Sequence, residues 1–291
     1  KNPIIMPFAR PLYVMAKPVG AACNLACEYC YYLEKAALYD STPRTLMSDE
    51  VLERFIAEYI RSQTTLEVYF TWHGGEPLMR EDILKCGRSI YDLEFPWGMV
   101  SNGRLMSPKK IDQLLAAGAH SLTISLDGFE EEHNWMRGTR DGFSYASKAV
   151  EILAKEPSIR FDVVTCVNNR NYDSLEQFKE YLISLGLKSW RLFTVFPVGR
   201  AADDPDLQLD SVRFRGLMEF IRKTRKEGRI ELNYACEGFL GGYETEVRDH
   251  FYMCNAGVTV ASIRVNGDIS GCTSVRGNYA QGNIYRDSFW E

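Results

Sequence analysis

Several features are missing from the sequence, and each absence excludes a class of protein. No apolar run approaches the roughly 18 residues of a transmembrane helix, and no segment has the features of a secretory signal. The 34 Lys and Arg and the 39 Asp and Glu are mixed along the chain, which leaves no broad basic face for nucleic acid. Repeats and low-complexity tracts are also missing. We therefore expect a globular protein that binds neither membranes nor nucleic acid.

Cysteine is the residue type whose number is informative. Eight cysteines in 291 residues are too few for a secreted disulfide scaffold, yet more than a cytosolic protein needs for packing. Their number favours metal binding over disulfide formation. Because disulfides are rare in the cytosol, we also predict a cytoplasmic protein.

Short β-branched and aromatic runs alternate with longer amphipathic runs over most of the chain. The candidate strands are 12–16, 66–71, 98–100, 121–125, 161–165 and 190–195, and the candidate helices between them are 49–61, 81–91, 108–117, 143–155 and 175–185. Ser48, Ser107 and Ser174 are the predicted N-caps of three of these helices. Such alternation builds a parallel sheet covered by helices. We predict an α/β fold whose six units form an open or partial (β/α)6 barrel.

The pattern changes near residue 229. One more helix is predicted at 211–226, and after Gly228 short strands and glycine-rich turns follow. We therefore predict a core domain over 1–228 and a small second domain over 229–291. The chain begins at Lys1 rather than Met and stops directly after a strand-like segment, so we expect the second domain to be truncated at its carboxyl end.

Three cysteines form a C-x3-C-x2-C pattern directly after the first candidate strand. Thiolates are soft ligands, so Cys23, Cys27 and Cys30 on one short loop suit a metal or an iron–sulfur cluster. A 4Fe–4S cluster with three protein thiolates keeps one iron open for a cofactor. Two alternatives remain open. One is structural zinc, which normally takes four ligands, and the other is three buried cysteines that only pack.

Glycine-bearing polar segments follow the next three candidate strands. They are Gly74-Gly75-Glu76-Pro77, Ser101-Asn102-Gly103 and Ser125-Leu126-Asp127-Gly128. Each alone is typical of a routine turn. Together they lie at the carboxyl ends of strands, which is where parallel barrels build active sites. The paired glycines let the backbone approach a ligand closely, and Glu76 supplies a carboxylate for an amino group.

This combination resembles the radical S-adenosylmethionine (radical SAM) superfamily over residues 12 to about 228. The cysteine triplet matches the superfamily's cluster motif, and Gly74-Gly75-Glu76-Pro77 matches its methionine-binding motif. Residues 12–79, with Trp72-His73 before the two glycines, are most similar to anaerobic sulfatase-maturating enzymes. The resemblance implies that Cys23, Cys27 and Cys30 hold a 4Fe–4S cluster whose open iron binds the amino and carboxylate groups of SAM.

The resemblance also implies how SAM is held and used. Glu76, with the Gly74 and Gly75 backbone, would bind the amino group, and Ser125 and Arg137 are candidates for the methionine carboxylate and the sugar. Reductive cleavage would give a 5′-deoxyadenosyl radical that takes a hydrogen from a peptide or protein substrate. The electrons would come from a donor such as flavodoxin or ferredoxin. The protein would bind, orient and exclude water and oxygen.

A second cysteine group lies in the predicted second domain. Asn266-Gly267 is a hairpin signal that would bring Cys254 and Cys272 together. This arrangement resembles the opening half of a SPASM or twitch domain, which implies an auxiliary iron–sulfur cluster, with Cys236 as a possible third ligand. Unpaired thiols in a hairpin are the alternative, and a disulfide is less expected in the cytoplasm. The remaining pair, Cys86 and Cys166, is predicted to pack in the core.

The resemblance to sulfatase maturases stops at Thr273. In the clostridial type the residue after the hairpin cysteine is an aspartate, the proposed base for the substrate proton, whereas threonine has no carboxylate. The resemblance then does not imply formylglycine formation by that route. Asp249 and Asp268 are possible substitutes, although both are more typical of solvated turns.

The leading hypothesis is a radical SAM enzyme that modifies a peptide or protein side chain, either in sulfatase maturation or in ribosomal-peptide maturation. One alternative keeps the chemistry and changes the substrate to a small molecule or nucleotide. The other alternative is a non-enzymatic module that binds an iron–sulfur cluster or zinc.

Overall fold

The computed structural model describes residues 12–30, 46–61, 68–235, 238–274 and 279–287. Strands and helices alternate there as the sequence predicts. The elements in chain order are β1 (Leu12–Ala16), α1 (Asp49–Arg61), β2 (Val68–Trp72), α2 (Ile83–Tyr91), β3 (Trp97–Ser101), α3 (Pro108–Ala116), β4 (Ala119–Ser125), α4 (Glu130–Arg137), α5 (Gly142–Leu153), β5 (Arg160–Val167), α6 (Leu175–Ser184), β6 (Ser189–Thr194), α7 (Ser211–Glu227), β7 (Glu231–Tyr234), β8 (Val260–Ile263), β9 (Asp268–Ser270) and β10 (Gly282–Asn283).

All of these strands belong to one sheet, in the order β10-β9-β8-β1-β2-β3-β4-β5-β6-β7. Strands β1 to β7 are parallel and neighbour one another in chain order, so each connection crosses over one face through a helix. In the described part of the chain no pairing joins the two ends of the sheet. The predicted α/β fold with an open parallel barrel is therefore confirmed.

The core lies between the sheet and its helices. Successive side chains of a strand point to opposite faces, and one face of each strand packs beneath the helices. Phe70 of β2 meets Phe55 of α1 edge to face, with ring centroids 5.0 Å apart, and Trp190 of β6 meets Phe178 of α6 at 5.8 Å. Each fully buried aromatic or aliphatic side chain stabilises the fold by about 1.5–3 kcal/mol. The opposite face lines the inside of the partial barrel.

Two of the three predicted N-caps are confirmed. Ser48 accepts a hydrogen bond from the N–H of Val51 at 3.2 Å, and Ser107 accepts one from Lys110 at 3.1 Å. Ser174 occupies the predicted N-cap position of α6, but its side chain makes no capping hydrogen bond. A 3₁₀ turn precedes α6, and the Ser174 hydroxyl donates back to the carbonyl of Asn171 at 3.0 Å instead.

Helix α4 is absent from the sequence-based expectations. Its first turn carries three glutamates, which favour a helix N-terminus, and it ends at Gly138 with φ 60°. The segment is short and strongly polar, so it shows little of the apolar periodicity that indicates the other helices. It matters here because its carboxyl end packs on the cysteine loop.

The sheet continues across the boundary predicted near residue 229. Strand β7 pairs in parallel with β6, with Glu231 opposite Ser189, and β8 pairs in parallel with β1, with Val260 opposite Tyr13. The division into domains at 1–228 and 229–291 stays a prediction. The predicted hairpin is confirmed: β8 and β9 are antiparallel, and Gly267 in their connection has φ 84°. None of the described helices is long and apolar enough to cross a membrane.

Candidate active site

The three cysteines of the triplet lie on the loop that follows β1. The N–H of Cys30 donates to the carbonyl of Cys27 at 3.2 Å, which closes a turn between them. The N–H of Glu28 donates at 3.0 Å to the carbonyl of Met136, at the end of α4. Cys27 is buried and the other two cysteines are half-buried. The loop is therefore held from one side by α4 and keeps its thiols close to the protein interior.

The glycine pair after β2 packs directly on the cysteine loop. The N–H of Gly75 donates to the carbonyl of Gly20 at 2.9 Å, and the N–H of Glu76 donates to the carbonyl of Ala22 at 2.9 Å. A Cβ at position 75 would lie 1.7 Å from the Ala22 oxygen, and Gly74 has φ 114°. The glycines thus hold two loops together. In the described part of the chain, no group donates a hydrogen bond to the carbonyl of either one.

Glu76 connects the loops after β2 and β3. Its carboxylate is fully buried and accepts hydrogen bonds from the Ser101 hydroxyl at 3.0 and 3.1 Å, the Asn102 N–H at 2.8 Å and the Leu78 N–H at 3.1 Å. Burial raises the pKa of Glu76 to about 7, and the hydrogen bonds oppose that shift. The carboxylate is occupied by protein donors, so the predicted contact with the SAM amino group stays a prediction.

Asn102 links the loop after β3 to the first cysteine. Its Nδ2 atom lies 3.7 Å from the Sγ of Cys23 and donates to Asn24 Oδ1 at 2.8 Å. Its own Oδ1 accepts from the N–H of Arg104 at 3.0 Å, which fixes the orientation of the amide. The sequence marks Ser101-Asn102-Gly103 only as a polar strand end, and its pairing with Cys23 emerges from the fold.

Arg137 is the last residue of α4 and lies close to Cys27. Its Nη1 atom lies 3.9 Å from the Sγ of Cys27, and its guanidinium lies 5.3 Å from the ring centroid of Tyr29. Its Nε donates at 2.6 Å to Asp127, which is fully buried. Burial lowers the pKa of Arg137, but the charge and hydrogen bond of Asp127, with Tyr29 and Cys27, outweigh it and hold that pKa well above its ordinary value. Arg137 is therefore a fixed cation beside the cysteine loop.

Two further residues of this site were not predicted. Asp127 lies in a segment that the sequence marks only as a strand end, and it also accepts a hydrogen bond from the N–H of Cys166 at 2.9 Å. Arg200 donates to the carbonyl of Cys27 at 3.2 Å and lies 3.6 Å from the Glu28 carboxylate. These partners are far apart in the sequence, so no local pattern indicates them.

Ser125 ends β4 at the same edge of the sheet. Its side chain is buried, and within the described ranges its hydroxyl has no hydrogen-bond partner. The residue two positions later, Asp127, is the one that binds Arg137. The structure thus places Ser125 and Arg137 on neighbouring elements, and their predicted role in binding SAM stays a prediction.

The three thiols of the triplet lie close enough to act on one another, because Cys30 and Cys23 add to the effect of burial in raising the pKa of Cys27. Burial raises the pKa of Cys27 to about 11 and also raises that of Cys23, so these thiols stay protonated until a metal replaces the proton. Structural zinc normally takes four protein ligands, whereas this loop offers three thiols. A 4Fe–4S cluster binds each thiolate through a different iron, and N–H donors near its sulfurs suit its negative charge.

The second cysteine group is partly described. The N–H of Gly257 donates to the carbonyl of Gly271 at 3.2 Å, which brings the segment after Cys254 beside the segment that leads into Cys272. Neither cysteine forms a disulfide with another residue that the structure describes, and the Cys272 sulfur accepts a hydrogen bond from the N–H of Ser274 at 3.4 Å. The third predicted ligand, Cys236, lies outside the described residues. The auxiliary cluster stays a prediction.

Thr273 is buried against β1, with its hydroxyl 3.7 Å from the sulfur of Met15. The two aspartates considered in its place have structural partners: Asp249 pairs with Arg225 at 2.5 Å, and Asp268 accepts from Asn283 at 2.9 Å. Asp249 is exposed outside the helices and strands, as the sequence predicts, whereas Asp268 is not a turn residue but begins strand β9. Both carboxylates already accept hydrogen bonds from protein side chains.

The two cysteines assigned to packing behave differently. Cys86 is buried in the main hydrophobic core, as predicted. Cys166 is half-buried and packs against a smaller cluster with Met136. Its backbone also serves the site, because its N–H holds Asp127 and its carbonyl accepts from Asn171 at 2.9 Å.

Residues 18–182 match the family model of the radical SAM superfamily. The chain belongs to the radical SAM superfamily. The matched range contains the cysteine triplet, both glycines and Arg137, so the predicted family is confirmed. This superfamily uses a 4Fe–4S cluster and SAM.

A curated relative of this radical SAM chain is a serine-type anaerobic sulfatase-maturating enzyme of Bacteroides thetaiotaomicron. The two are 42% identical over 176 residues, which is 57% of this chain and 42% of the relative. The chain thus spans less than half the length of that relative.

Two solved structures share the fold. SuiB of Streptococcus suis bound to S-adenosylmethionine superposes with a TM-score of 0.75 at 18% identity, over 97% of this chain and 65% of that one. The enzyme anSMEcpe with bound AdoMet and Cp18Cys peptide superposes with a TM-score of 0.72 at 20% identity, over 96% of this chain and 78% of that one. These likenesses confirm the radical SAM barrel.

Proposed function

We propose that this protein is a radical SAM enzyme that modifies a side chain of a peptide or protein, as sulfatase maturases do. One observation carries the proposal: the glycine loop after β2 is bonded to the cysteine loop after β1 through Gly75–Gly20 and Glu76–Ala22 contacts of 2.9 Å. A cofactor bound to a cluster on the cysteine loop would lie beside the glycine loop. The identity shared with a sulfatase-maturating enzyme supports the substrate class.

Cys23, Cys27 and Cys30 would hold the 4Fe–4S cluster. Cluster and SAM together supply a 5′-deoxyadenosyl radical when they are bound. Asn102 lies at the sulfur of Cys23 and Arg137 at that of Cys27, so both donate N–H groups toward the cluster's negative charge. The chain's own contribution is to hold the thiols in place and to keep them shielded from water.

The backbone and Ser125 would bind the methionine part of SAM. The carbonyls of Gly74 and Gly75 have no donor among the described residues, so they suit an ammonium group. The Ser125 hydroxyl suits a carboxylate. Arg137 uses its Nε for Asp127 and places its Nη1 3.9 Å from the Cys27 sulfur, so it would hold a carboxylate of the cofactor at the cysteine loop. The Glu76 carboxylate would act chiefly by joining the loop after β2 to the loop after β3.

The second domain, 229–291, would hold an auxiliary iron–sulfur cluster on Cys254 and Cys272, with Cys236 as a third ligand. Gly257 and Gly271 already bring the two described cysteine segments side by side. The protein would work in the cytoplasm and take electrons from a donor such as flavodoxin or ferredoxin.

Co-expression with a sulfatase tests the substrate class. Mass analysis of the sulfatase active-site peptide is expected to show conversion of its serine or cysteine to an aldehyde, and a Cys27→Ala enzyme is expected to give none. Cys86→Ala is the matched control, because that thiol packs in the core. An unmodified sulfatase under reducing, SAM-replete conditions would contradict sulfatase maturation and leave ribosomal peptides as the substrate.

A further inference from the structure

Arg248 is a buried arginine in the segment between β7 and β8, away from the loops that follow β1 to β4. Its side chain is 2% exposed, and that of Glu244, its ion-pair partner at 3.0 Å, is 1% exposed. Arginine is rarely buried so deeply unless it is paired, and an apolar pair of the same size is often at least as stable. The pair therefore indicates a role beyond packing.

The Glu244 carboxylate holds the chain together on both sides of Arg248. It accepts hydrogen bonds from the N–H of Leu240 at 2.8 Å and from the N–H of Tyr252 at 2.9 Å. Burial raises the pKa of Glu244, but these hydrogen bonds and the charge of Arg248 outweigh it and hold that pKa below its ordinary value. The carboxylate therefore stays ionised and fixes the position of the arginine.

Arg248 uses only part of its guanidinium for contacts with the protein. Its Nη2 atom donates to the Glu244 carboxylate and, at 2.9 Å, to the carbonyl of Gly238. Its Nε–H is buried and has no acceptor among the residues that the structure describes. Buried N–H groups are nearly always hydrogen-bonded. This one is therefore suited to an acceptor other than these residues.

The guanidinium contacts two segments that lead to the cysteines of the predicted auxiliary cluster. Its central carbon lies 5.4 Å from the ring centroid of Tyr252, which precedes Cys254 by two residues. It also lies 5.7 Å from the ring centroid of Tyr234 at the end of β7. Tyr234 and Gly238 stand two residues before and two residues after Cys236 in the sequence. The buried N–H is therefore beside both segments.

A sulfur of an iron–sulfur cluster is an acceptor of the required kind. Thiolate and cluster sulfurs carry negative charge, and N–H donors to these sulfurs help to set the reduction potential of the cluster. A donor that is itself charged and is shielded from water forms a stronger hydrogen bond than a neutral, hydrated one. The buried guanidinium meets both conditions.

We propose that Arg248 donates its Nε–H to a sulfur of the auxiliary cluster and thereby raises the reduction potential of that cluster. The inference rests on the proposed function, which assigns this cluster to Cys254 and Cys272. The hydrogen bond favours the reduced state, because the added electron makes the sulfurs more negative. Glu244 is the positioning residue, since it holds the guanidinium in place and offsets part of its charge.

The reduction potential of the auxiliary cluster in the full-length, anaerobically reconstituted protein tests the proposal. Alanine at Cys23, Cys27 and Cys30 removes the other cluster, so that an EPR-monitored redox titration reports the auxiliary cluster alone. In this background Arg248→Lys keeps the positive charge and removes the Nε–H. It is expected to disfavour reduction about tenfold, a shift of about 59 mV toward more negative potential for one electron.

Two further variants separate this effect from damage to the segment. Glu244→Gln removes the negative charge beside the arginine, so the potential is expected to shift in the opposite direction and become more positive. Arg225→Lys is the control and is expected to leave the potential unchanged. Arg225 also bonds this segment, but its Nη atoms donate to the Leu232 carbonyl at 2.6 Å and to Asp249.

An unchanged potential in Arg248→Lys would overturn the proposal, and so would shifts of the same sign in Arg248→Lys and Glu244→Gln. If Arg248→Lys does not fold, Glu244→Gln decides alone, since an unchanged or more negative potential would then overturn the proposal. Iron analysis separates the two levels. If the background protein binds no iron, the auxiliary cluster of the proposed function is contradicted together with this inference, whereas a loaded cluster with an unchanged potential contradicts the inference only.

Discussion

The Nε atom of Arg137 donates a 2.6 Å hydrogen bond to the carboxylate of Asp127, and both side chains are buried. This ion pair joins the end of α4 to the loop after β4. It also holds the guanidinium 3.9 Å from the sulfur of Cys27. Because Asp127 accepts a second hydrogen bond from the N–H of Cys166, the pair has little freedom to move. The cysteine loop is therefore supported by a fixed positive charge.

Asp127→Asn is expected to destabilise the protein strongly. Removing one charge of a buried pair leaves the other uncompensated, which costs about 3–5 kcal/mol. Urea unfolding of the cluster-free protein measures the loss. Asp141→Asn is the control, since Asp141 pairs with Arg104 at the surface, where water screens the charges and such pairs contribute little to stability. Equal losses in the two variants would contradict a supporting role for Asp127.

Gly75→Ala is expected to separate the two loops of the site. The new Cβ would lie 1.7 Å from the Ala22 oxygen, so the backbone must shift. Overpacking of this kind costs about 1–3 kcal/mol, and here it also displaces the cysteine loop. Iron content after anaerobic reconstitution is expected to fall. Gly242→Ala, which meets no atom within 4 Å, is expected to load iron normally. If Gly75→Ala binds as much iron as the unmodified protein, the packing of Gly75 on Ala22 does not hold the cysteine loop in place.

Glu76 is expected to make the stability of the cluster-free protein depend on pH. Its pKa is raised from 4.5 to about 7 by burial, so the folded state binds the proton more tightly than the unfolded state does. The protonated Glu76 therefore contributes roughly 3 kcal/mol to the free energy of unfolding. This stabilisation is fully present below pH 4.5 and is lost as the pH rises through about 7. Urea unfolding between pH 5 and about 8 is expected to show this decline, and Glu76→Gln is expected to reduce it. If the unfolding free energy falls with pH equally in the unmodified protein and in Glu76→Gln, the pH dependence does not come from Glu76.

Asn102→Ala is expected to make the reduction potential of the cluster more negative. The amide lies 3.7 Å from the Cys23 sulfur, and a donor to a cluster sulfur stabilises the reduced, more negatively charged state. An EPR-monitored redox titration measures the potential. Asn169→Ala, which loses contacts with the Pro205 carbonyl and with Arg213, is expected to leave the potential unchanged. An unchanged potential in Asn102→Ala would show that the amide does not act on the cluster.

The sequence predicts those parts of the fold that depend on a local pattern of residues, namely most strands, most helices and two side-chain caps. The parallel sheet follows from the strand and helix periods, and the caps at Ser48 and Ser107 follow from a serine before an apolar run. The side chain of Ser174 does not cap α6, because a 3₁₀ turn occupies the helix start. Helix α4 has too few apolar positions to stand out.

The sequence predicts which cysteines and glycines belong to the site, but it does not predict which side chains contact them. The cysteines and glycines carry a recognisable spacing, whereas the partners of Cys23 and Cys27 do not. Asn102 lies 79 residues from Cys23, and Arg137 lies 110 residues from Cys27. Only the order of the strands brings such residues together. The same applies to the contact of Arg248 with Tyr234, for which the sequence shows no motif.

Formation of 5′-deoxyadenosine by the anaerobically reconstituted protein tests the central claim most directly. The protein is incubated with SAM and a strong reductant, beside the Cys27→Ala and Cys86→Ala variants. We predict that the unmodified protein and Cys86→Ala, whose altered residue lies in the core, form 5′-deoxyadenosine, and that Cys27→Ala forms none. A cluster-loaded protein that forms none, or a Cys27→Ala variant that forms as much as the unmodified protein, would contradict a radical SAM active site on this cysteine loop.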